Sequence, residues 1–157
     1  MDNFWGENFY NHPELTDEML EVAEKKLGVK LPAEYVELLK QQNGGYTTNF
    51  VFPTDQENSW AEDHVPLNEL FGIVTDEAVE TAQNILDTEY MTEEWGLPER
   101  QVLLSGAGHW WITLDYRNGG EPTVRWLDVE SDETFELASS FKAFMSRLVA
   151  ESEFEQF

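Results

Sequence analysis

The 157-residue chain contains no cysteine. Disulfides and thiolate chemistry are therefore excluded, and a zinc site would have to be built from histidine and carboxylates. Its three histidines, His12, His64 and His109, lie far apart and show no H-E-x-x-H spacing. No apolar run approaches the roughly 20 residues a membrane-spanning helix needs. Met1-Asp2-Asn3-Phe4-Trp5 has neither a positive n-region nor an apolar h-region, so no secretory signal is read there and a cytoplasmic protein is expected. Positive charge is scarce as well: nine Lys and Arg stand against 32 Asp and Glu, a net charge of −23. Residues 41–99 hold thirteen acids and no Lys or Arg. A folded surface of one sign repels nucleic acid and anionic membrane and attracts cations or basic proteins. The expected partner is thus a basic protein, with neither nucleic acid nor membrane, although solubility alone would account for the acidity equally well.

Core material is plentiful, at 41% hydrophobic and 13% aromatic residues. A chain of this length is expected to form one domain and to bury about 70% of its unfolded surface. The acidic segment is interleaved with Tyr46, Phe50, Phe52, Trp60, Phe71, Tyr90 and Trp95. It should therefore fold and present its acids on a defined surface, not remain disordered.

Thr16, followed by Asp17 and Glu18, predicts a helix start, with Leu20, Ala23 and Leu27 at helical spacing and Gly28 as its stop. Leu31-Pro32 opens a second helix with Tyr35, Leu38 and Leu39 inward, stopped by Asn43-Gly44-Gly45. Strands are predicted over 48–52 and 65–73, a helix over 76–87, and acidic loops over 54–64 and 88–98. Further strands are read at 101–104, 109–116, 123–127 and 133–137, with Asn118-Gly119 turning the hairpin between the second and third of these. Ser139 or Ser140 caps a last helix with Phe141, Phe144, Met145 and Leu148 inward, and residues 151–157 are expected to fray. Helices, then strands, then a helix predict an α+β fold: N-terminal helices, a mainly antiparallel central sheet and a C-terminal helix packed on it.

These residues carry a resemblance. Leu27-Gly28-Val29-Lys30-Leu31-Pro32, then Tyr35, Leu38-Leu39 and Asn43-Gly44-Gly45, resemble the N-terminal signature of the SUKH superfamily. The second half is similar too: Glu94-Trp95-Gly96-Leu97-Pro98, Gly108-His109-Trp110-Trp111, Leu114-Asp115-Tyr116 and Ser140-Phe141. The likeness covers about residues 15–150, so the chain is read as one SUKH-like domain over 1–157. It implies a non-catalytic protein: a bacterial immunity protein that neutralises a cognate toxin, many such toxins being nucleases. The alternative it implies is a scaffold or regulatory module like the yeast cell-wall regulators for which the family is partly named. Ala107 departs from the pattern, since many relatives carry an acid there.

Two clusters place a large aromatic beside consecutive acids: Trp60 with Glu62 and Asp63, and Glu93 and Glu94 with Trp95. Tryptophan is favoured as an interface anchor with charge around it, and these six residues are the candidate partner contacts. Asp87, Glu89 and Tyr90 would extend the second cluster. Each Trp could instead fold under its own loop. Alternation from 109 to 116 places Trp110, Ile112, Leu114 and Tyr116 on a core face. His109, Trp111 and Asp115 then share the other face, either as a binding patch that adds Trp111 to the candidates or covered by a helix with Asp115 pairing Arg117 or Arg125. Asn43-Gly44-Gly45 reads as a helix stop, or as backbone lining a partner cleft. Residues 128–132 resemble a calcium loop but lack its glycine and final acid, so they are read as a solvated turn. Ser105 lies outside a nucleophile elbow, and Gly106-Ala107-Gly108 lacks the third glycine of a dinucleotide loop. No enzyme, metal or cofactor is expected.

Overall fold

The computed structural model describes residues 3–154. Helix α1 (Asp17–Leu27) starts where Thr16 accepts a hydrogen bond from the Met19 amide, and it ends at Gly28 in the left-handed region (φ 70°). Glu24 reaches forward to take the Leu31 amide at 2.7 Å, so the Gly28–Pro32 link into α2 (Ala33–Gln41) is fixed by side chain as well as by turn chemistry. Tyr35, Leu38 and Leu39 face inward from α2. Asn43 then acts as a buried knot. Its side-chain amide donates to the carbonyls of Pro13 and Ile73, its Oδ1 accepts from the Ile73 amide, and its own carbonyl meets His12 Nδ1. A Cβ on Gly44 would lie 2.4 Å from the Gly72 nitrogen, so the two backbones need bare contact there. Asn43, Gly44 and Gly45 are all buried, which removes them as the lining of a partner cleft.

Strands β1 (Gly45–Pro53), β2 (His64–Leu70), β3 (Gln101–Ala107), β4 (Trp110–Asp115), β5 (Thr123–Asp128), β6 (Glu133–Ala138) and β7 (Val149–Ala150) pair antiparallel throughout. They form two sheets, ordered β2-β1-β7 and β3-β4-β5-β6, where one central sheet was predicted. A hydrogen bond from the Phe71 amide to the Leu104 carbonyl (2.7 Å) joins β2 to β3, so the sheets meet along a seam. Strand pairing stops there because Gly72 turns away to pack on Asn43 and to exchange hydrogen bonds with Gln83 and Ile85.

Helix α4 (Phe141–Arg147), capped by Ser140, stacks Phe144 on Phe52 and sets Phe141 against Tyr35, which locks the C-terminal helix onto β1 and α2. This buried aromatic set provides the large apolar areas that dominate core energetics. Residues 151–154, expected to fray, form a short helix α5 (Glu151–Phe154) whose Phe154 ring meets His64 at 5.0 Å. Residues 155–157 of that prediction lie outside the described residues. Among the described residues no helix is long and apolar enough to cross a membrane.

Two further expectations are corrected. Residues 76–87 are not a helix. The Asn84 side chain accepts from the amides of Val74 and Leu86 and donates to the Val74 carbonyl, which commits the chain to an irregular course ending in a 3₁₀ turn at Ile85–Asp87. Conversely, residues 88–98 are not a loop but contain helix α3 (Thr88–Trp95), closed by Gly96 at φ 66°. Only Thr88 is buried along it, and Met91 is half-buried, so it lacks the apolar stripe by which a helix is read in sequence.

Candidate partner-binding surface

The loop between β1 and β2 is shaped by Asn58, whose Oδ1 accepts from the Trp60 and Ala61 amides while its Nδ2 donates to the His64 carbonyl. This turn holds Trp60 outward, 47% exposed. Its ring leans on Trp110 (centroids 5.7 Å apart), which stacks on the fully buried Trp126 at 5.1 Å. Three tryptophans thus run from core to surface, and Glu62 and Asp63 are exposed beside the outermost one.

Ser59 ties the loop down. Its hydroxyl donates to Asp128 and its amide donates to Glu133 (2.9 Å). Asp128 is not a solvated turn residue, contrary to the sequence expectation; it is 1% exposed. Its carboxylate also meets His109 Nδ1 (3.0 Å) and accepts from the amides of Glu130 and Ser131. Burial alone would raise the Asp128 carboxyl, but Ser59, His109 and Ser131 outweigh it and hold the pKa low. The same bond, against some desolvation and aided by the charges of Asp128 and Glu130, raises the pKa of His109.

On α3, Glu93 and Glu94 are exposed and Trp95 is 43% exposed, with its ring edge-on to Trp111 at 5.9 Å. Trp110 and Trp111 are consecutive on β4 and therefore point to opposite faces of the sheet. The two acidic-aromatic clusters accordingly flank the β3–β4 turn from opposite sides, one through Trp110 and the other through Trp111. His109 sits in that turn, and Gly108 (φ 79°) makes it tight.

The face bearing Trp111 and Asp115 is covered. Trp111 is 4% exposed beneath Trp95, so it supports the surface from below and is not an exposed contact. Asp115 takes both of the pairings considered: Arg117 Nη2 lies at 2.9 Å and Arg125 Nε at 3.1 Å. Gln101 also donates to it. Burial opposes its charge, but Arg117 first, then Arg125 and Gln101, hold this carboxyl well below the usual range.

Sequence reasoning missed Glu69. It lies beside a groove of about 360 Å³ whose walls include Phe71, Met91, Trp95 and Trp111. Gln83 Nε2 donates to its carboxylate at 2.9 Å, and burial raises its pKa despite that bond and one from the Gly106 amide. Its signal was an acid among the apolar residues Leu67, Leu70 and Phe71, a position that hydropathy alone does not separate from a solvent-facing one. Also unread were the exposed aromatics Phe9 (57%) and Tyr46 (38%), packed edge to face 6.2 Å apart near the Glu69 end of β2.

The class this fold defines is a mixed α+β domain of antiparallel sheets that presents tryptophans and carboxylates around one hairpin end. A model of the SMI1/KNR4 family (SUKH-1) matches residues 14–147, and the chain belongs to that family. Neither the curated proteins nor the solved structures give a significant match.

Proposed function

We propose that this protein is a cytoplasmic, non-catalytic immunity protein that binds and neutralises a basic toxin domain, a nuclease in the form we favour. The observation that carries the reading is the convergence of two acidic-aromatic clusters on the β3–β4 turn, in a family-member chain of net charge −23. Trp60, Glu62, Asp63, Glu93, Glu94 and Trp95 make the contacts, and Trp111 backs Trp95. The carboxylates stand where nucleic-acid phosphates would lie in a basic groove. Long-range attraction speeds encounter, and desolvated tryptophan contacts slow departure.

Pull-down from native-host lysate with the full chain as bait tests this, with the captured protein assayed for nuclease activity with and without the bait. A basic domain whose activity disappears on binding supports the proposal. Capture of a housekeeping complex containing no toxin overturns it and favours a scaffold or regulatory role.

A further inference from the structure

We propose that the groove between α3 and the β3–β4 hairpin receives a single arginine side chain. Tyr46 pairs with Glu69 across β1 and β2, the Gly106 amide meets the Glu69 carboxylate across the seam, and Gly106 pairs with Trp111. One row therefore crosses four strands as Tyr46, Glu69, Gly106 and Trp111. The third place carries no side chain. A Cβ there would lie 2.3 Å from Trp111 Cδ1, so the indole leans over the bare backbone and a concavity opens between it and the carboxylate. At about 360 Å³ the groove lies near the lower end of the range for ligand sites.

Its chemistry selects a cation. No Lys or Arg forms an ion pair with Glu69 among the described residues. Gln83, 1% exposed, spends its Nε2 on Glu69, while its Oε1 has no hydrogen-bond partner among the described residues. The Gln83 oxygen is buried outside the lining, so the acceptor that faces the groove is the Glu69 carboxylate, beside the indoles of Trp95 and Trp111, and Asp87 supplies a second carboxylate to the lining. A guanidinium fits this set better than an ammonium. It offers five donors in a plane, lies flat on an indole and sheds its weaker hydration more easily. The inference rests on the proposed function for who presents the arginine, but not for the ligand chemistry.

The test uses the full chain without any partner. Indole ¹⁵N–¹H signals are followed during titration with N-acetyl-arginine methylamide, with the citrulline analogue as an uncharged isostere. The expected result is saturable movement of the Trp95 and Trp111 signals in the millimolar range, about tenfold weaker (about 1.4 kcal/mol) with citrulline and with Glu69→Gln. Glu69→Gln should fold, because the position is only half-buried and the new amide oxygen can keep the bond from Gln83 Nε2; Trp95→Ala serves as the second variant. An unmoved Trp111 signal, equal response to citrulline, or full binding by both variants overturns the proposal. Because no toxin is present, such failure leaves the immunity reading standing, while failure to find a toxin leaves arginine binding standing.

Discussion

Asp128 is the residue on which the shape of the proposed surface depends. Its buried carboxylate collects Ser59 from the Trp60 loop, His109 from the β3–β4 turn and the amides of Glu130 and Ser131. Asp128→Asn keeps one carbonyl oxygen for His109 and the two amides, and its NH₂ can donate to a reoriented Ser59 hydroxyl. Only charge assistance is lost. Hydrogen bonds to charged groups contribute about 1.5–3 kcal/mol against 0.5–1.5 for neutral ones, so the asparagine variant should lose about 1–2 kcal/mol. Asp128→Ala leaves the same donors facing a void and should lose about 3–5 kcal/mol, the range for breaking a buried charged network. Urea unfolding at pH 7 measures both, and an NMR titration of His109 gives an independent reading, because its raised pKa should fall back in both variants. An alanine variant within about 0.5 kcal/mol of the wild type, the scatter of ordinary surface changes, would show that Asp128 does not hold this network together. So would a His109 pKa that does not move.

Three other outcomes follow from the geometry. Glu93→Lys with Glu94→Lys, which takes the net charge from −23 to −19, should slow association with a basic partner about tenfold at low salt and change dissociation little, as stopped-flow mixing across a salt series would show. The two histidines should titrate on opposite sides of about pH 6.5: His109 above it, through Asp128, and His12 below it, through burial that its bond to the Asn43 carbonyl only partly offsets. By linkage, the His109 contribution is complete below about pH 6.5 and is lost as pH rises through its raised pKa, whereas that of His12 is present above about 6.5 and is lost as pH falls through its lowered one. Gly106→Ala, whose new methyl would meet Trp111 at 2.3 Å and the Trp110 carbonyl at 2.6 Å, should cost about 1–3 kcal/mol in urea unfolding and shift tryptophan emission.

The fold was legible where local chemistry and tertiary packing agree. Thr16, Gly28 and Ser140 act as the caps their residue types predict, and the antiparallel pairing of β3 to β6 follows the alternation seen in the chain. It was illegible where a buried polar side chain overrides pattern. Asn84 displaces a helix whose apolar spacing was present, and Thr88, by donating to Ile85 and accepting from Leu103, starts one whose apolar stripe was not. The site divides in the same way. Trp60 and Trp95 could be named because an aromatic beside paired acids is visible in sequence. Asp128 and Glu69 could not, because an acid's burial depends on partners at sequence distances such as the 69 residues from Ser59 to Asp128. The burial of Trp111 needs α3 above it, a helix that the acid-rich pattern of residues 88–98 does not predict.

The most direct test of the account is neutralisation by the chain itself. The captured toxin domain would be assayed at equimolar wild-type protein and at equimolar Glu62→Lys/Asp63→Lys/Glu93→Lys/Glu94→Lys, once unfolding curves show that the variant folds. The wild type should abolish toxin activity, and the quadruple variant should leave most of it at physiological salt. Toxin activity unchanged by saturating wild-type protein, or abolished equally by the variant, would contradict the proposed function.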